Sequence, residues 1–142
     1  MPLLRSLKPI SLIAAALFLA STTRAQDLQE NPFDRGVVLY YFEKDFQGAL
    51  EAYKLMPEDH PNYPTAQRYI GHNIYGREWG QWEQAVPSVE EAYRAAPNDP
   101  KVLEDIGRVY LKVGRISEGI ELLERADTWV SRRALAELKE GT

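Results

Sequence analysis

From about residue 30 onward, apolar positions recur at spacings of three and four, and the whole pattern then repeats itself. Three segments align, 30–63, 64–99 and 100–133, with lengths of 34, 36 and 34 residues. The third reads Leu103-x2-Ile106-Gly107-x2-Tyr110, followed by Gly114, Gly119, Leu123 and Ala126. The second has Ile70-Gly71-x2-Ile74, then Gly80-x-Trp82-x2-Ala85, Val89, Ala92 and Pro97. The first has Phe33-x3-Val37-x2-Tyr40, then Phe46, Ala49, Tyr53, Met56 and Pro61. Spacings of three and four mark one face of a helix. Each segment therefore predicts two helices joined by a turn, with no strand after Ala25. One such hairpin cannot bury its apolar face alone, and three in a stack are about the minimum for stability.

The recurring residue types have physical reasons. Small residues (Gly71 and Gly107 on the first helices, Ala49, Ala85 and Gly119 on the second) let the two helices of a hairpin approach closely, and large ones (Tyr53, Ile74, Tyr110, Leu123) fill the space between hairpins. Pro61 and Pro97 are expected to end the second helices. Asn31-Pro32 and Asp99-Pro100 restart the chain with an N-cap and Pro at the first helical position. Three departures carry expectations of their own. Gly36-Val37 in the first segment predicts a slightly wider hairpin. Two extra residues between Gly71 and Gly80 predict a longer turn at Gly76–Trp79. Pro87, followed by Ser88-x-x-Glu91, predicts a kink or restart in the second helix of the second segment. After the third segment, Trp129, Val130, Ala134, Leu135 and Leu138 recur at helical spacing between charges. Residues 128–140 thus read as a capping helix with one polar face.

The pattern resembles the tetratricopeptide repeat, whose signature is W-x2-L-G-x2-Y, then A-x3-F, then P, at a period of 34. The resemblance covers nearly all of residues 26–142. It implies an all-α fold: a TPR-type α-solenoid of three helix–turn–helix repeats with a C-terminal capping helix, wound as a short right-handed superhelix.

Charge and composition narrow the function. Residues 1–25 carry three bases and no acid, whereas 14 bases against 21 acids leave a net charge of −7 over residues 26–142. That sign disfavours a nucleic-acid partner. Cysteine is absent, which removes disulfides, thiolate metal sites and cysteine nucleophiles. The first 25 residues have the layout of a secretory signal: Arg5 and Lys8, the uncharged run Ile10–Ala20, then Thr23 and Ala25 at −3 and −1 of a cut before Gln26. The run is shorter than the roughly 20 apolar residues of a membrane-spanning helix. The expected mature chain is residues 26–142, without a membrane span and located in the periplasm or outside the cell.

Candidate chemistry is sparse. His60 lies in the predicted loop Glu58-Asp59-His60-Pro61 without further ligands at metal-binding spacing. No nucleophile elbow, zinc-protease, phosphate-loop or dinucleotide motif occurs. The acid pairs Glu90-Glu91 and Glu118/Glu121 read as solvated charge, and Ser117 as the cap of the following helix. The expectation is a non-enzymatic protein with no cofactor and no metal.

What the family resemblance implies about binding is more specific. The first helix of each repeat would line a concave groove, with the second, fifth, ninth and twelfth positions facing it. Here these are Asn31, Asp34, Val38 and Tyr41; Thr65, Arg68, His72 and Tyr75; and Lys101, Glu104, Arg108 and Leu111. The partner-binding candidates among them are Asn31, Tyr41, Arg68, His72, Tyr75, Lys101 and Arg108. Arg68, Lys101 and Arg108 would engage acidic or terminal carboxylate groups, and Tyr41 and Tyr75 would give apolar contact. The family's carboxylate clamp, with Lys and Asn in the first repeat, is missing, since Asp34 and Val38 stand there. The competing reading makes Glu104/Arg108 and Lys101/Asp105 simple i,i+4 pairs lacing an exposed helix. The function expected is a non-catalytic interaction scaffold of the cell envelope, an assembly adaptor holding a peptide or protein in the groove. The alternative is a structural subunit that oligomerises through its outer face or capping helix.

Overall fold

The computed structural model describes residues 31–141; the expected export signal at 1–25 lies outside them. Among the described residues seven α-helices follow one another and there is no strand. Helix α1 (Pro32–Val38) runs on into a π-helical segment, Leu39–Glu43. Helix α2 is Phe46–Lys54. Helix α3 (Tyr63–Arg68) also runs on into a π-helical segment, Tyr69–Glu78. Helices α4 (Trp82–Ala95), α5 (Pro100–Lys112), α6 (Ile116–Ala126) and α7 (Trp129–Glu140) complete the chain. The architecture is the all-α, TPR-like helical repeat fold.

Local chemistry sets the helix ends. Asn31 Oδ1 accepts the Phe33 N–H at 3.0 Å, and Asp99 Oδ1 accepts the Lys101 N–H at 2.8 Å, each just before a proline that opens the helix. Thr128 and Ser131 exchange side-chain bonds with each other's backbone N–H, at 3.0 and 2.8 Å, and so cap α7. Ser117 does not cap α6. That helix starts at Ile116 behind Arg115, which makes no side-chain cap bond.

The turns inside the three hairpins share one device, a residue in the left-handed region: Lys44 (φ 56°), Gly80 (φ 66°) and Gly114 (φ 83°). Each hairpin also has a glycine pressed against its second helix. A Cβ on Gly107 would lie 2.8 Å from Leu123 Cγ, one on Gly71 would lie 2.8 Å from the Ala85 carbonyl oxygen, and one on Gly36 would run into the Tyr53 ring. Counting from contact glycine to turn residue gives eight residues in the first hairpin, nine in the second and seven in the third. An i→i+5 turn takes up one residue more than an α turn without leaving the helix. The hairpin with one extra residue has a π segment of 5 residues, that with two extra has one of 10, and the third has none.

Two sequence expectations are corrected by this count. The two extra residues of the second segment do not lengthen the turn at Gly76–Trp79; they are absorbed by winding, as shown by Trp79 N–H bonding to Ile74 O at 3.1 Å. The first hairpin is not widened by Val37, because Gly36, one position earlier, makes the close approach under Tyr53. Pro87 is a third correction. Helix α4 runs unbroken through it. Pro87 and Glu83, the residue whose carbonyl loses its N–H partner, are both exposed, and the helix continues past the lost bond.

Two apolar clusters form the core. One is built on α1, α2 and α3 around Tyr53, Ala66, Ile70 and Ile74; the other on α4, α5 and α6 around Val89, Ile106 and Val109. Tyr75 packs against both. The first helices of the hairpins touch in series and make one layer with α7. Tyr69 stacks on Phe33 and Tyr40 of the first hairpin, Arg68 reaches Asp105 of α5, and Glu104 of α5 accepts the Thr128 hydroxyl at the head of α7 at 2.5 Å.

Candidate partner-binding face

The layer of first helices scatters the seven candidate residues among different roles. Asn31 is spent as the cap of α1. Arg68 turns inward, its Nε donating to Asp105 Oδ2 at 2.8 Å with the two side chains 16% and 5% exposed. His72 is buried at 3% exposure. Its Nδ1 lies 2.9 Å from Asn73 Oδ1 and 3.6 Å from Asp105 Oδ1. Two oxygens facing Nδ1 place the proton there, leaving Nε2 as a bare acceptor, buried and without a partner among the described residues. Burial pushes the His72 pKa below its ordinary 6.5. Asp105 and the Asn73 bond oppose that shift, and the charges of Arg108 and Arg77 reinforce it. The imidazole is therefore neutral at pH 7.

Tyr75 also leaves the expected groove. It lines a hollow with Gln84, Pro87 and Ser88 of α4 and stacks edge-on against Trp79 at 5.4 Å. The π winding of 69–78 explains this. A face counted at α spacing from Thr65 through Arg68 and His72 loses its phase once each turn takes an extra residue.

Three candidates remain accessible. Tyr41 is 45% exposed, with its hydroxyl 3.4 Å from that of Tyr69. Lys101 is exposed, with Nζ 3.9 Å from Glu104 Oε1. Arg108 is half-buried in the angle between α5 and α7. The supposed i,i+4 lacing of α5 is not made. Glu104 and Asp105 are both buried and are held by Thr128 and by Arg68 and His72. Neither acid neutralises Arg108.

The outer faces are more tightly tied than solvated acid pairs would be. Glu90 accepts the Tyr110 hydroxyl at 2.7 Å and Arg115 at 2.9 Å. Glu91 accepts the Tyr63 hydroxyl at 2.9 Å and pairs with Arg94. Those bonds, the one from Arg94 first, pull the Glu91 pKa down to about 2. His60 Nδ1 accepts the Asn62 N–H at 3.0 Å and belongs to a turn. Among the described residues, no group of three His, Asp or Glu side chains could hold a metal ion, and no helix is long and apolar enough to cross a membrane.

Sequence reasoning missed two residues beside Arg108. Trp129, the first residue of α7, is 68% exposed, and Lys112 lines the same cleft. Lys112 was within reach, since it stands four positions after Arg108 on one helix. The signal for Trp129 was an aromatic side chain opening a short capping helix.

Residues 78–140, from the end of the π-helical segment Tyr69–Glu78 through α7, match the family model described as tetratricopeptide repeat. That match, together with the all-helical fold, supports a tetratricopeptide repeat protein. No curated protein matches the chain. Repeats of this family generally mediate protein–protein interaction and are not themselves enzymatic.

Proposed function

We propose that the protein is a non-catalytic interaction scaffold of the cell envelope, an assembly adaptor that is exported and holds a peptide or partner protein on the layer of first helices. Export is supported by the tripartite pattern of residues 1–25. The binding assignment rests on one observation above others: Arg108 is half-buried on this face, with no hydrogen-bond or ion-pair partner among the described residues. A guanidinium held in that way is prepared for an incoming acceptor. Tyr41 and Lys101 extend the same layer.

Arg68 is unsuitable for a test, because reversing its charge would strand Asp105 inside the fold. The test uses the mature chain as bait in an envelope extract, with Arg108→Glu as the variant. Loss of the principal captured protein in the variant supports the assignment, and equal capture by both refutes it. A second reading, self-association through the capping helix, is favoured by the exposure of Trp129. Sedimentation distinguishes it: a dimer that Trp129→Ala dissolves makes the protein a structural subunit.

A further inference from the structure

We infer that the cleft between α5 and α7 is a docking site for an acidic, apolar-faced segment of another protein, with Arg108 and Lys112 meeting its carboxylates and Trp129 its apolar side chains. This names the partner chemistry for the scaffold proposed above and rests on that reading.

Two adjoining hollows make up the cleft and share Arg108, Ala134 and Glu137. One opens beside Trp129, the other beside Leu111, Lys112 and Leu138. From Trp129 to Leu138 the wall spans nine residues of helix, about 14 Å at 1.5 Å per residue. That is room for a segment rather than for a single side chain.

The charge state of the walls is unusual for this chain. After residue 80 there are six arginines, and five are engaged. Arg94 holds Glu91, Arg115 holds Glu90 and Glu118, Arg125 bonds the Tyr93 hydroxyl, Arg132 pairs with Asp127, and Arg133 pairs with Glu137. Of these six only Arg108 makes no hydrogen bond or ion pair among the described residues; Arg35 and Arg77, earlier in the chain, make none either but are exposed rather than half-buried. Lys112, on the same side of α5, has only the Trp82 ring at 5.5 Å. The acid that lines both hollows, Glu137, is 2.8 Å from Arg133 Nε and thereby occupied. In a chain with net charge −4, two cations on one helix face without a carboxylate form a positive notch in an acidic surface. An acidic segment complements it, and a basic one is repelled.

The apolar part is held in place too. Trp129 follows Thr128, which is fixed both by the cap of α7 and by its bond to buried Glu104. The first turn of α7 is thus anchored before any partner arrives, which lowers the ordering cost of binding. An exposed tryptophan beside an unpaired arginine has the composition of a binding hot spot.

The test is fluorescence anisotropy of the full chain with three labelled synthetic peptides of about four helical turns: leucine at helical spacing with glutamate between, the same with lysine for glutamate, and glutamate with serine for leucine. The first peptide should bind, more weakly as salt rises, and the other two should not. Arg108→Glu, Lys112→Glu and Trp129→Ala should each weaken binding by roughly tenfold or more, with circular dichroism confirming that each variant remains folded. Absence of binding by the first peptide, equal binding by the lysine peptide, or indifference to all three substitutions overturns the inference. A dimer that Arg108→Glu dissolves also overturns it, since a second copy would then fill the cleft. If Arg108→Glu loses the captured envelope protein while Lys112→Glu and Trp129→Ala do not, this inference fails and the scaffold reading stands. If capture ignores Arg108→Glu, the scaffold reading fails.

Discussion

Arg68 Nε donates a 2.8 Å hydrogen bond to Asp105 Oδ2 and so closes the seam between α3 and α5. The contact joins consecutive hairpins, and His72 leans on the same carboxylate from its other oxygen at 3.6 Å. A cation expected at the surface is thereby consumed in holding the stack together. The accessible charge is displaced one helix further, to Arg108.

That seam predicts an asymmetric mutational result. Arg68→Ala leaves Asp105 buried without its strongest partner and should destabilise the protein by about 3 kcal/mol. The double change Arg68→Met, Asp105→Leu should cost clearly less, because no charge is stranded. Urea unfolding of the two variants checks this, and equal losses would contradict it.

His72 predicts a pH dependence. Its folded pKa is depressed by burial, so the unfolded chain takes up a proton first as pH falls. Its contribution to stability is intact above about pH 6.5 and drains away below it, by at most about 1.36 kcal/mol per pH unit. Asp105 at 3.6 Å, and the charges of Arg108 and Arg77 acting from further away, modulate how far burial lowers the folded pKa. The urea midpoint should drop between pH 7.5 and 5.5 in the parent chain, and by less in His72→Gln. Identical slopes would contradict the assignment.

Close packing at Gly107 predicts a steric penalty. A methyl there would sit 2.8 Å from Leu123 Cγ and 3.1 Å from the Gly119 carbonyl oxygen, so α5 and α6 must separate. Gly107→Ala should cost about 1–3 kcal/mol despite the better helix propensity of alanine. Thermal unfolding reads it directly, and a stabilised variant would refute the contact.

Lys44 predicts a gain. It holds a left-handed conformation (φ 56°) at the position occupied by glycine in the other two hairpins. Lys44→Gly relieves that strain and should stabilise by about 0.5–1 kcal/mol, near 4 °C in melting temperature for a domain of this size.

The sequence disclosed the hairpins because each repeated position has a local cause, such as a glycine under Leu123 or an Asn-Pro start. The π segments were invisible to it. An insertion of one or two residues can enter a turn or the winding of a helix. The choice depends on keeping Gly36 under Tyr53, and Gly71 against α4, while the left-handed turn stays in place. With the winding went the phase of Tyr75. The burial of Arg68 and His72 was hidden for a different reason: their partner Asp105 belongs to the next hairpin, 37 residues from Arg68, and helical spacing reports only neighbours three and four positions away. Arg108 and Lys112 were readable as one face, but their lack of an acid was not.

Hydrogen exchange on the complex with the captured envelope protein tests the central claim most directly. The account predicts new protection on the first-helix layer, centred on residues 108–112 and 129–138. Protection confined to α2, α4 and α6 would contradict it.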